Sequence, residues 1–159
     1  MFGVTVIDER SRVPRVDEAA RKRLSAALDR EGVVAAMLIG SQARGEVGPL
    51  SDVDLAVWHE PGLGPSQRLS LQLSLMSAAG EALRTDEVDL VMLNQAPPLL
   101  RHRAIRDAVR LVERDPKRRV QFEAKALIDY LDTMPLRAEA SRGLRNRIKE
   151  GRFGRRREH

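Results

Sequence analysis

Two short stretches bring a glycine turn, a hydroxyl and a pair of carboxylates into close succession. Gly40-Ser41-Gln42-Ala43-Arg44-Gly45 is followed, after a short loop, by Ser51-Asp52-Val53-Asp54-Leu55, with ten residues separating Ser41 from Asp52. A glycine lets the backbone approach a polyphosphate, and a helix start just beyond it presents unpaired amide groups. The Ser41 hydroxyl can add a further hydrogen bond. Asp52 and Asp54 stand two residues apart, so on a strand both carboxylates project to one side.

That grouping suits nucleotidyl transfer, the movement of a nucleoside monophosphate from a triphosphate to an acceptor. The difficulty of the reaction is negative charge at the reacting phosphorus, and two divalent cations about 3.5–4 Å apart can clamp the attacking and leaving oxygens. Carboxylates must hold such ions, and an all-oxygen site that keeps waters and borrows substrate phosphates suits magnesium. Asp89 is the single charge in the apolar run Val88–Leu93 and is a candidate third carboxylate on a neighbouring strand. It would also be placed to help deprotonate an acceptor hydroxyl. Arg44 has two readings that the sequence does not separate: a fixed positive charge beside the triphosphate, or a brace for the loop through an acid such as Asp52.

These residues need elements to hold them. Val33–Ile39 is a continuous apolar run ending at Gly40, the pattern of a strand buried on both faces. Residues 52–58 alternate, with Val53, Leu55 and Val57 on one face and Asp52, Asp54, Ala56 and Trp58 on the other. Before the first strand, residues 16–31 read as an amphipathic helix with Leu24 and Leu28 facing the core and Gly32 as its stop. A helix over about 66–84 carries a stripe of Leu69, Leu73, Met76, Gly80 and Leu83, which Ala78, Ala79 and Ala82 extend. Pro97-Pro98 opens a short helix through His102 and Ile105, Val109–Glu113 reads as an edge strand, and Asp115-Pro116 starts a helix carrying Val120, Ala124, Leu127, Ile128 and Leu131. Pro135 is expected to end or kink that helix, leaving a charged helical extension that frays into an arginine tail.

The chain has 159 residues, a net charge of +5 and a pI near 10.4, which favours an anionic partner. Much of the surplus lies in Arg142, Arg145, Arg147, Lys149, Arg152, Arg155, Arg156 and Arg157. Aromatic residues make up only 3% of the chain, which leaves few rings for stacking bases and argues against a dedicated RNA-binding module. Direct nucleic-acid binding is confined to what the basic tail can offer. The lack of cysteine excludes thiol catalysis, Cys-based zinc sites and disulfides, and together with the lack of any apolar stretch of membrane-span length it gives the expectation of a cytoplasmic protein. His59, His102 and His159 are scattered, and His59 is expected at the surface. Arg101, Arg103 and Arg106 read as a solvated helix face, and Tyr130 and Trp58 as packing residues.

The segments GSQARG, SDVDL and VDLV resemble the nucleotidyltransferase superfamily of the DNA polymerase β type, specifically its minimal (MNT) group, over roughly residues 16–131. The resemblance implies an α/β fold: a small mixed sheet with flanking helices and a C-terminal helical segment. The expected organisation is a domain over 1–135 with its C-terminal helix, followed by a charged helical extension and basic tail over 136–159. By the same match Gly40 and Ser41 bind phosphates, and Asp52, Asp54 and Asp89 are the metal carboxylates. The activity implied is ATP-dependent transfer of AMP, with magnesium, to a tyrosine of a partner HEPN ribonuclease toxin, which it silences as an antitoxin. Other readings keep the chemistry with a small-molecule or RNA hydroxyl as acceptor, or replace it with a binding-only antitoxin.

Overall fold

The computed structural model describes residues 15–46, 48 and 51–151. The N-terminal charges Asp8, Glu9 and Arg10, the tail arginines Arg152, Arg155, Arg156 and Arg157, and His159 lie outside the described residues. The uninterrupted apolar run forms β1 (Val33–Ile39), buried from Val33 to Leu38. A strand apolar on both sides needs cover on both, and β1 is accordingly central in a four-stranded sheet of order β3-β2-β1-β4. It pairs antiparallel with β2 (Val53–His59) and with the edge strand β4 (Val109–Glu113). The other edge, β3 (Val88–Met92), runs parallel to β2. A parallel neighbour requires a crossover, and α3 (Pro65–Leu83) supplies it.

The two faces of the sheet are covered differently. On one, α1 (Glu18–Leu28) and α3 bring Leu24, Leu28, Leu75 and Leu83 against Leu38, Leu55, Val57 and Leu90. The Asp17 side chain caps α1 by accepting the Ala20 N–H at 2.8 Å. On the other, α4 (Pro98–Arg106) and α5 (Pro116–Lys149) contribute Ala104 and Ala126 over Val34, Ala35, Met37 and Ala56. Phe122 of α5 meets Trp58 with ring centroids 5.2 Å apart, so Trp58 is a packing residue as expected.

Three expectations are corrected. Of the stripe expected on α3, Ala78, Ala79 and Leu83 are buried, but Leu75 joins them in place of Leu69 and Leu73, which are each 57% exposed. Two apolar stripes compete on this helix, and the one with small residues lets α3 pack closely. Of the two outcomes expected at Pro135, an end or a kink, the first is excluded: α5 runs through it to Lys149. Pro135 offers no N–H to the Leu131 carbonyl four residues before it, and Leu131 is 51% exposed. His59 is only 3% exposed, because the turn Leu93–Gln95 closes over it. Its backbone N–H donates to Asn94 Oδ1 at 2.9 Å, and its ring nitrogens meet the Glu60 carbonyl and the Gln95 amide. Among the described residues, no helix is long and apolar enough to cross a membrane.

Candidate active site at the exit of the central strand

β1 leaves the sheet at Ile39, which is paired across the ladder with Asp54. The next residue, Gly40, has φ +71, and a Cβ there would run into the Asp54 carboxylate. Glycine is required twice over, for the left-handed backbone and for the space. Five residues, Gly40–Arg44, then form the single short turn of helix α2, which Gly45 stops at φ +73. Gln42 is buried, and its Oε1 accepts the Val16 N–H at 3.1 Å, tying α2 to the segment that precedes α1. Ser41 is half-buried at the same corner.

The parallel ladder between β2 and β3 puts Asp54 beside Asp89. Strand alternation gives that pair to the face covered by α4 and α5, with Asp52 two residues before Asp54. A cavity of about 270 Å³ opens there, lined by Ile39, Asp54, Asp89, Val91 and Leu100 among others. Burial is the main influence that raises the Asp54 carboxyl above its ordinary range; the negative charges of Asp89 and Asp52 raise it further, and Arg44 opposes them. Asp52 and Asp89 are exposed. Among the described residues, no three acidic or histidine side chains stand close enough to form a ready metal cage. The donor set nevertheless fits a hard cation, since the Asp54 carboxyl feels the negative charge of both Asp89 and Asp52 and a cation beside it would relieve that repulsion.

Arg44 pairs with neither the expected Asp52 nor a more distant acid: its Nε meets Glu46 at 2.8 Å. That pair holds Arg44 within its own loop in this structure. The arginines of α4 are not one solvated face. Arg101 is 14% exposed in its side chain and joins Asp129 of α5 at 3.1 Å, whereas Arg106 pairs with the adjacent Asp107 at 2.7 Å. Tyr130 packs as expected, stacked on His102 at 3.8 Å with the Arg137 guanidinium 4.2 Å from its ring.

Sequence reasoning missed Leu100 and Val91 as walls of the cavity. It also missed the Arg106–Asp107 pair, which the β1–β4 ladder brings near the Gly40 turn by setting Leu38 opposite Val109. Asp107 and Arg106 both act electrostatically on Arg44, in opposite senses. Only the edge-strand assignment of Val109–Glu113 hinted at this neighbourhood.

The family described as Polymerase beta, Nucleotidyltransferase matches residues 22–117, a span from α1 through β4 into the start of α5. The chain belongs to that nucleotidyltransferase family. Its fold is similar to a chain in a crystal structure of a toxin-antitoxin with AMP-PNP, at 22% identity and a TM-score of 0.63, covering 78% of this chain and 97% of that one. A structure of a tri-AMPylated Shewanella oneidensis HEPN toxin in complex with an MNT antitoxin is similar at 20% identity and a TM-score of 0.58, over 79% of this chain and 95% of the other. The toxin-antitoxin MntA-HepT gives 21% identity and a TM-score of 0.59, over 80% and 98%. The comparison with curated proteins gave no match.

Proposed function

We propose that this chain transfers AMP from ATP to a hydroxyl, probed first as a tyrosine of a HEPN-type toxin, and so acts as the antitoxin of a pair. The observation that carries the chemistry is the ladder pairing of Asp54 with Asp89 directly beside the Gly40 turn. The antitoxin role is supported by family membership together with a fold shared with chains from toxin-antitoxin structures.

In this reading the acceptor oxygen bonds to the α-phosphorus of ATP, the bond from that phosphorus to the bridging oxygen breaks, and pyrophosphate leaves. Gly40 and Ser41 bind the phosphates, the first by leaving its backbone bare and the second by its hydroxyl. Arg44 turns from Glu46 toward the triphosphate when nucleotide arrives. Asp52, Asp54 and Asp89 would hold magnesium, which supplies charge neutralisation at the attacking and leaving oxygens when bound. Asp89, exposed at the edge strand, is placed to take the acceptor proton. Leu100 and Val91 wall the cavity and limit competing water.

The test is to incubate the purified chain with α-labelled ATP, magnesium and the purified product of the neighbouring reading frame. Label on that product, lost with Asp52→Asn and Asp54→Asn, is the expected result. Label that survives both substitutions would sink the mechanism, and label appearing on a small molecule or RNA instead would move the acceptor.

A further inference from the structure

α5 carries an apolar row that nothing in the described structure covers. Val120, Leu127, Met134 and Ile148 fall at multiples of seven residues, and Ile128 and Leu131 widen the row; all six are 47–58% exposed. A seven-residue repeat drifts only about 20° per heptad around a straight helix, so Val120, Leu127 and Met134 share one side and Ile148, four heptads on, is turned about 80° from Val120. At 1.5 Å per residue the row from Val120 to Met134 is about 21 Å long, and Ile148 stands two heptads further on, past the polar Ser141. Past Pro135 the flanking charges of the helix are Arg137, Arg142, Arg145, Arg147 and Lys149, answered only by Glu139.

We propose that this row is the docking surface for a helical, acid-flanked face of a second protein, which on the reading above is the protein that receives AMP. A narrow apolar row on a helix is matched by another helix whose ridges fill it, and the basic distal half selects acidic flanks. Nucleic acid answers the basic charge but offers no apolar surface to the leucines. A second copy of this chain is disfavoured because two of the three acids on the proximal half are already engaged. Glu123 is bonded to Arg119, and Asp129 to Arg101 and Lys125.

The position fits delivery of an acceptor. α5 is joined to α4 by Arg101–Asp129 and by the His102–Tyr130 stack, and α4 supplies Leu100 to the carboxylate cavity. A partner seated on α5 therefore lies one helix away from the site.

The experiment is a calorimetric titration of the full chain with the purified product of the neighbouring reading frame, at low and high salt. Leu127→Ser with Leu131→Ser is expected to raise Kd at least about tenfold. Arg142→Glu with Arg145→Glu should do so by a similar factor and flatten the salt dependence. Both pairs should keep Tm within about 2 °C, since the side chains are exposed. Asp52→Asn with Asp54→Asn should bind as wild type. Unchanged binding by both α5 variants overturns the docking surface and leaves the transfer reading standing. Binding that depends on the row, with no labelling of the partner, supports the surface and overturns the transfer reading. A wild-type chain that is a dimer by light scattering, made monomeric by the serine pair, overturns the proposal in favour of a second copy. No binding by wild type overturns both.

Discussion

The two faces of the sheet are covered by two helices each, yet they differ in what the cover leaves open. α1 and α3 press leucines onto the sheet and bury Leu24, Leu28 and Leu75 completely. Among the described residues α4 and α5 contribute only Ala104 and Ala126 to buried positions, and their side of the sheet keeps a cavity lined by Asp54 and Asp89. Hydrophobic burial on the first face carries stability, and the sparser cover on the second leaves a cavity open. A charge is tolerated only where the cover is thin, which is why Asp54 stands half-buried and strained by its neighbours.

That contrast can be broken at its reactive end first. Asp54→Asn should lower AMP transfer about a thousandfold, the size of effect expected when a charge essential to the transition state is lost. It should also raise Tm by about 2 °C, because it removes a carboxylate whose ionisation the fold opposes. The sign is open to a second check. Since Asp54 is raised in the folded chain, the native state holds more protons than the unfolded one just above the ordinary carboxylate range, and stability contributed by this group falls as pH rises through that window. Thermal melts between acid and neutral pH should show a shallower fall for Asp54→Asn than for wild type, and added magnesium should reduce the difference.

The densely packed face should respond in the opposite way. Leu75→Ala is expected to cost about 2–5 kcal/mol by denaturant unfolding, while the protein that remains folded keeps its transfer rate. Gly40→Ala sits where the two effects meet. A left-handed backbone and a clash with the Asp54 carboxylate should cost about 1–3 kcal/mol and displace that carboxylate, so both Tm and transfer fall. The smallest effect is expected at the outward stripe of α3: Leu73→Gln should shift stability by no more than about 0.5 kcal/mol. A loss comparable to that of Leu75→Ala would show that α3 is rotated the other way.

The legibility of the chain followed how much each signal depended on local geometry. β1 was readable to its ends because a strand apolar at every position has only one stable place, the middle of a covered sheet. The N-cap of α5 at Asp115 was readable too, since a side-chain carboxylate accepting the Arg118 N–H needs nothing distant. The face of α3 was not, because Leu69, Leu71, Leu73 and Leu75 offer two stripes and only the neighbours α1 and β3 choose between them. His59 was misplaced for the same reason: its partners Asn94 and Gln95 are some thirty-five residues away in sequence. Arg44 found Glu46, a partner only two residues on, because the tight stop at Gly45 folds the loop back on itself.

By itself the sequence determined the inventory of this protein: a bare turn at Gly40-Ser41, two carboxylates one pleat apart at Asp52 and Asp54, and a lone acid in a later strand at Asp89. Those follow from residue type and the period of a strand, which are properties of the chain alone. The tertiary structure decided that Asp54 and Asp89 are ladder partners, that Gly40 must be bare because Asp54 stands against it, and that the apolar row of α5 faces outward. Register between strands and the rotation of a helix are set by what packs across from them, and that information is spread over the whole fold.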